Sequence, residues 1–294
     1  MKHTIDEAPP ARSDTIEARI LRVLPTLTPK QQALARYMLD NELGLAFAST
    51  EEVGRHVGVD AATVVRFSRT LGYDGYVDLR DAVRRSVPQF LTAVERVTRQ
   101  LNADHDSDIV PDVFAQDMRN LEETARRNAS KTIGQAVAVL DSAPRVLCIG
   151  HGISTIVAEH LAHQLALVGV SSQRASRSVP DGAIELSAVT RKDAVVVVSV
   201  WRYFAHTLSL AKAARSRGAR VIALTDSKAA PVTTHANITL IAATETPELG
   251  HSVAALLTLS NALVTGVAHA SPQRALERLR QIDESYDKLD VMAE

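Results

Sequence analysis

From Thr15 to about Val87, apolar residues recur at helical spacing with no strand-like alternation, and short Gly- or Pro-containing breaks divide them into several helices. A second helical stretch runs from Phe90 to about Leu140, interrupted near Asn102–Pro111, where clustered Asp, Asn and Ser read as a loop. After Pro144 the pattern changes. Branched apolar runs at Arg145–Ile149, Ala194–Val200, Arg220–Thr225 and Ile238–Ala243 alternate with helix-like segments, and a weaker run, Val170–Ala175, supplies a further strand. Continuous rather than alternating apolar strands are buried on both faces, so this half is predicted to be a doubly wound parallel α/β domain with right-handed crossovers. The end of the chain, from Pro272, reads as a charged amphipathic helix, either solvated or packed against another subunit.

These shifts divide the chain into a tail at 1–14, an all-α domain at 15–91, a helical connector at 92–136, an α/β domain at 137–272 and a C-terminal helix at 273–294. A length of 294 residues with 46% hydrophobic content suits two domains. The lone Cys148 excludes an internal disulfide framework, and the polar N-terminus lacks the apolar core of a secretory signal. Every apolar run is too short or too interrupted to span a bilayer, so a cytoplasmic protein with no membrane partner is expected.

A formal net charge of −1 argues against a uniformly basic surface. The local balance differs: between Ala61 and Ser86, Arg66, Arg69, Arg80, Arg84 and Arg85 outnumber Asp74, Asp78 and Asp81. That excess coincides with the sharpest local motif, residues 49–73. Ser49 followed by Glu52 is a capping box that starts a helix near Thr50; Val53 and Val57 point inward, Gly58 allows a tight turn and Val59 plugs it. Asp60 caps a second helix, which turns Val64 and Leu71 inward with Val65 or Phe67 assisting, and ends before Gly72. Two short helices joined this way match the helix-turn-helix, whose second helix enters the DNA major groove. Ala61, Ala62, Thr63, Arg66 and Arg69 then face outward, the small residues permitting close approach to base edges. Arg66 is the foremost candidate for a base or phosphate, Thr63 suits either, and Thr50 offers an amide and hydroxyl to a phosphate. A surface αα-hairpin without DNA contact is the plain alternative.

The stretch 48–83 resembles the RpiR family of bacterial regulators, whose T-V-x-R-F core and L-G-[YF]-x-G-[YF]-x-x-[LF] continuation are met by Thr63, Val64, Arg66, Phe67, Leu71, Gly72, Gly75, Tyr76 and Leu79. The likeness continues to about residue 268.

In the α/β half the first strand runs into Gly150-His151-Gly152-Ile153-Ser154, a strand-to-helix turn in which glycines, a hydroxyl and a helix N-terminus favour an anion. A dinucleotide fingerprint would need glycine at Thr155, so no nucleotide cofactor is expected. Ligands of open parallel sheets bind at the carboxyl ends of strands, where this turn meets those at Ser199–Thr207 and Thr225–Pro231. This half resembles the sugar isomerase (SIS) domain, a flavodoxin-like three-layer fold that accompanies the helix-turn-helix in RpiR proteins and commonly binds phosphosugars. Gly150, Gly152 and Ser154 meet its G-x-G-x-S turn, and Thr225, Asp226 and Ser227 its T-D-S element. The family's S-x-S-G-x-[ST] loop keeps only Ser199; Trp201, Arg202, Tyr203 and Phe204 stand where small hydroxylated residues are expected. Arg202 can pair with phosphate or carboxylate, and Trp201 or Tyr203 can stack on a ring. Together with His151 and Thr207 these residues form the candidate effector site.

The resemblance implies a non-enzymatic regulator, homodimeric or homotetrameric, that binds a palindromic operator on the bacterial nucleoid and responds to a phosphosugar, sugar acid or other small anion. The alternatives are a sugar-processing isomerase with an accessory helical domain, or a helical dimerisation module. An isomerase needs a base; Glu159, Glu185, Glu245, His151 and His251 are nominal candidates, none specified by a motif. No H-E-x-x-H, P-loop lysine, nucleophile elbow or metal-spaced Cys/His set is present, so no catalytic or metal residue is assigned.

Overall fold

The computed structural model describes residues 15–86, 109–175, 178–200, 202–246 and 251–291, and the chain separates into two compact units divided at Thr92 and Ala93. Trp201 and residues 92–108 of the expected connector lie outside the described residues.

The first unit is helical: α1 (Ile16–Val23), α2 (Pro29–Asp40), α3 (Glu42–Leu45), α4 (Thr50–Val57), α5 (Ala61–Thr70) and α6 (Tyr76–Ser86). Its core gathers Ile20, Leu34, Met38, Leu45, Val53, Val64, Phe67 and Leu79, each at most 1% exposed. One charged side chain enters that core for a structural reason. Arg19 is buried, donates from Nη1 to the carbonyls of Leu71 and Gly72, and lies 4.4 Å over the Tyr73 ring. It thereby satisfies carbonyls at the end of α5, which a helix terminus leaves without internal partners.

The second unit carries α7 (Ile109–Arg127), α8 (Ser130–Ser142), β1 (Val146–Gly150), α9 (Ser154–Leu167), β2 (Ser172–Arg174), α10 (Val179–Ser187), β3 (Ala194–Ser199), α11 (Ala205–Ser216), β4 (Arg220–Thr225), β5 (Ile238–Ile241), α12 (Ala254–Ala270) and α13 (Pro272–Leu289). All five strands are parallel, in the order β2-β1-β3-β4-β5. The two-residue period of a strand sends Val146, Cys148, Val196, Val198, Ile222 and Leu224 to one face, against α8, α9 and α12, and Leu147, Ile149, Val195, Val197, Val221 and Ala223 to the other, against α10 and α11. The runs that form β1, β3 and β4 are therefore buried on both sides, whereas the weaker run that forms the edge strand β2 stays half-exposed. Burial pushes the Cys148 thiol up to about 12, which leaves it a packing residue at neutral pH.

The expected connector needs correction over its described part. Residues 109–136 belong to the second unit and finish its sheet: α7 lies along the open edge of β5. Asn128 donates to the Ile241 carbonyl (2.6 Å) and accepts from its N–H (2.9 Å), the Thr124 hydroxyl accepts from the Ala243 amide (2.9 Å), and Asn120 donates to the Glu245 carbonyl (2.6 Å). Side-chain amides thus act as a surrogate strand on an edge that would otherwise present unpaired backbone groups. The loop expected over 102–111 also ends earlier, because Pro111 falls within the first turn of α7, where a missing N–H costs no helical bond. Among the described residues no single helix is long and apolar enough to cross a membrane.

Replacing Asn128 by Ala leaves both backbone groups of Ile241 buried without partners. A loss of about 1–3 kcal/mol per unsatisfied group is expected in denaturant unfolding; a midpoint unchanged from wild type would show that the edge is closed by other means.

Candidate functional site

The α4–α5 pair is built by its caps. The Ser49 hydroxyl accepts from the Glu52 amide (3.2 Å) while the Glu52 carboxylate accepts from the Ser49 amide (2.7 Å). Gly58 takes the left-handed conformation (φ 75°) that closes α4, and its N–H and that of Val59 both reach the Gly54 carbonyl. Val57, expected to point inward, and Val59, expected to plug the turn, are only half-buried; Val65 is too, whereas Phe67 is 1% exposed. The close packing falls instead to Gly54, which no motif in the sequence singles out. A Cβ there would lie 2.5 Å from the Val59 carbonyl oxygen, so the turn folds back onto α4 only across a glycine.

Asp60 starts α5 by accepting from the Thr63 amide at 2.6 Å, and contacts with Thr63 hold its carboxyl below its usual range. Arg66 Nη2 donates to the Thr63 hydroxyl (2.7 Å) and lies 3.8 Å from Asp60. Arg66 remains 65% exposed in its side chain, on the same outward surface as Ala62 and Arg69. Ala61, Thr63 and Thr50 are half-buried, the Thr50 hydroxyl donating to Glu51 (3.0 Å) and Arg69 Nε to the Asp74 carbonyl (3.2 Å). Not all of the basic excess is free for a partner. Arg84 donates from Nε to the Ala46 carbonyl (2.7 Å) and pairs with Asp81 (3.3 Å), tying α6 to the end of α3.

In the second unit the carboxyl ends of β1, β3 and β4 bring together the turns expected to converge. The chain leaves β1 toward one face and β3 toward the other, so a crevice opens between them. Gly150 pairs with Val198 across the two strands, placing His151 and Ser199 side by side just beyond. A Cβ on Gly150 would meet the Ser154 carbonyl carbon at 2.8 Å, so this glycine lets α9 begin directly against the strand end. His151 Nδ1 is hydrogen-bonded to the Thr207 hydroxyl of α11 (2.8 Å). Among the described residues its buried Nε2 has no hydrogen-bond partner, and neither has the buried Ser199 hydroxyl, on a residue 3% exposed. Thr225 donates to the Ser199 carbonyl (2.6 Å), Tyr203 donates to Asp226 (2.7 Å), and the Ser227 hydroxyl accepts from the Ala229 amide (3.1 Å). Ser154, Thr207, Thr225, Asp226 and Ser227 are buried, while Arg202 is exposed at the rim.

The second Gly of the first turn serves a purpose not visible in the sequence. Gly152 has φ 60°, and a Cβ there would lie 2.7 Å from the Phe204 ring. Phe204, outside the set of candidate residues, therefore covers the turn expected to cradle an anion. Among the described residues no group of three or more His, Cys, Asp or Glu gathers as a metal site.

Comparison with known proteins places both units. Residues 15–89 match the helix-turn-helix domain of the rpiR family and residues 139–270 the SIS domain. A solved sugar isomerase domain of an RpiR transcription factor from Sphaerobacter thermophilus is 31% identical, covering 60% of this chain and 99% of that structure with a TM-score of 0.57. The chain belongs to the RpiR family of transcriptional regulators. A helix-turn-helix transcriptional regulator of Haemophilus influenzae is 27% identical over 79% of this chain and 81% of its own length. The NanR protein of Vibrio vulnificus, solved in complex with ManNAc-6P, shares the fold at 24% identity and a TM-score of 0.66, over 95% of this chain and all of that one.

Within this RpiR protein, burial, followed by the charges of His206 and Arg174, lowers the His151 pKa from 6.5. Because the unfolded chain takes up a proton that folded His151 resists, stability falls as pH drops below about 6.5. His235 shifts in the same direction. His151→Gln is thus expected to weaken, not abolish, the acid-side fall of the thermal midpoint; an identical pH profile would place His151 in a solvated setting.

Proposed function

We propose that this protein binds operator DNA through α5 and that a small polar metabolite, bound at the carboxyl ends of β1, β3 and β4, modulates that binding. The observation that carries the reading is the surface of α5. Its buried side is fixed by Val64, Phe67 and Leu71, while Asp60 and Thr63 hold Arg66 at the exposed side. Arginine takes guanine through a bidentate pair of hydrogen bonds, and Thr63, Ala61 and Ala62 at the helix start suit close approach to base edges. Thr50 and Arg69 flank this surface as phosphate contacts. A homodimer or homotetramer presents paired α5 helices to a palindromic site in the bacterial cytoplasm, where the operator is part of the nucleoid.

The effector half of the reading is supported by the partnerless Ser199 hydroxyl and His151 Nε2, because buried polar groups ordinarily have partners. Gly150, Gly152, Ser154, Thr207, Thr225, Asp226 and Ser227 shape the surrounding turns, Arg202 and Tyr203 belong to the second loop, and Trp201 is assigned to the site from the sequence alone. The complex of NanR with ManNAc-6P supports a sugar derivative as the ligand class. Ligand binding alters operator affinity only by as much as it favours one arrangement of the protein over another. Two of the nominal bases do not favour isomerisation, since Glu159 is exposed on α9 and Glu185 lines a cavity with Arg145, Val146 and Ala194 at the opposite, amino-terminal edge of the sheet, while His151 lies at the crevice itself, hydrogen-bonded to Thr207.

A gel-shift titration against the DNA upstream of the protein's own operon is expected to give a specific, salt-sensitive complex. Arg66→Ala is expected to weaken it by about 1–3 kcal/mol and to relax preference at one base position. Unchanged affinity and preference in a folded variant would remove Arg66 from the interface.

A further inference from the structure

The hydrogen bond between His151 and Thr207 fixes where the imidazole proton lies. Thr207 sits in the first turn of α11 and is 1% exposed, and among the described residues His151 Nδ1, at 2.8 Å, is the only partner of its hydroxyl. Burial, followed by the charges of His206 and Arg174, holds the imidazole below its ordinary pKa, so at neutral pH the ring carries a single N–H.

Two arrangements of that proton are open. With the N–H on Nδ1 and the Thr207 oxygen accepting, two groups are left over: the Thr207 proton lacks an acceptor and the buried Nε2 lone pair lacks a donor. With the Thr207 hydroxyl donating to Nδ1, only one is left over, an N–H on Nε2. Buried polar groups ordinarily have partners, so the surroundings favour the second arrangement. The same bond orients the ring, because a half-turn about Cβ–Cγ would put a ring carbon in place of Nδ1 and leave Thr207 without an acceptor.

An Nε2–H held in this way requires an acceptor oxygen. Next to it, at the end of β3, the Ser199 hydroxyl is also buried and without a partner among the described residues. Imidazole N–H and serine O–H can both donate to one oxygen, whether hydroxyl, carbonyl, phosphoryl or carboxylate.

We infer that Thr207 is a positioning residue: by donating to Nδ1 it holds the His151 ring with its proton on Nε2, where an acceptor oxygen of the effector takes it. The inference rests on the reading of this crevice as the effector site.

The test uses the full-length protein labelled with ¹⁵N-histidine, and the His151 signals are identified by their loss in His151→Gln. In long-range ¹H–¹⁵N correlation spectra at neutral pH, ligand-free wild type and Thr207→Ser are expected to show a single His151 tautomer protonated on Nε2. Thr207→Val, which keeps the shape of the side chain and removes its proton, is expected to show mixed tautomers or a mobile ring. A wild-type proton on Nδ1, or on both nitrogens, overturns the inference, as does a Thr207→Val spectrum equal to that of wild type. Calorimetric titration with aldose and ketose 6-phosphates, the matching free sugars and inorganic phosphate supplies the second arm and shows whether the acceptor belongs to the sugar or to the phosphoryl group. The tightest of these probes is expected to lose roughly tenfold or more in affinity with Thr207→Val and with Ser199→Ala, and to regain it with Thr207→Ser. Binding that depends on Ser199 but not on Thr207 overturns the positioning role and leaves the effector site in place. Binding indifferent to both Ser199→Ala and His151→Ala, or none by any of these probes, counts against the effector-site reading, while the ligand-free spectra still decide the tautomer.

Discussion

Close approach of one backbone segment to another, possible only across a glycine, is the constraint on which both units depend. At Gly150 the missing side chain lets α9 start against the end of β1, which sets the width of the first turn. That turn fixes His151 beside Ser199 and puts the imidazole within reach of Thr207 on α11. At Gly54 the same device brings the Val59 carbonyl onto α4, and the direction of α5 follows. A methyl group at either place forces the backbone apart by an amount that no rotamer change can absorb, because the neighbour is main chain rather than a flexible side chain.

Around these two approaches the remaining polar chemistry is arranged to leave few groups unsatisfied. Arg19 closes the carbonyl end of α5, Asn128 and Thr124 close the edge of β5, and Arg84 joins α6 to the end of α3. Against that economy, the two partnerless groups at the strand ends stand out. The crevice is defined as much by what is already bonded as by what is open. Tyr203 and Thr225 have their hydroxyls engaged, and Phe204 rests on Gly152.

Much of this architecture was legible in the sequence because its signals are local. Five apolar runs gave five parallel strands, and Ser49, Glu52, Gly58 and Asp60 marked the helix ends where the caps now lie. What escaped was long-range. Asn128 meets Ile241 across 113 positions and Arg19 meets Leu71 across 52, and no periodicity announces either pair. For the same reason residues 109–136 read as a separate connector, since an amphipathic helix does not name the sheet edge it covers. Gly152 was legible as a glycine that something approaches; that the something is Phe204, more than fifty positions later, required the fold.

The account turns on α5 lying in the major groove while the second unit reports on a metabolite. Site-directed DNA cleavage tests this most directly: an iron chelate tethered to Ala62→Cys, with the native thiol of Cys148 buried, cuts whatever DNA lies beside that helix. The predicted result is two clusters of cuts centred about one helical turn, or a multiple of it, apart in the operator, their intensity altered by a ligand that binds at Ser199. Cuts spread evenly along the DNA, or none above those of untethered chelate, would contradict it.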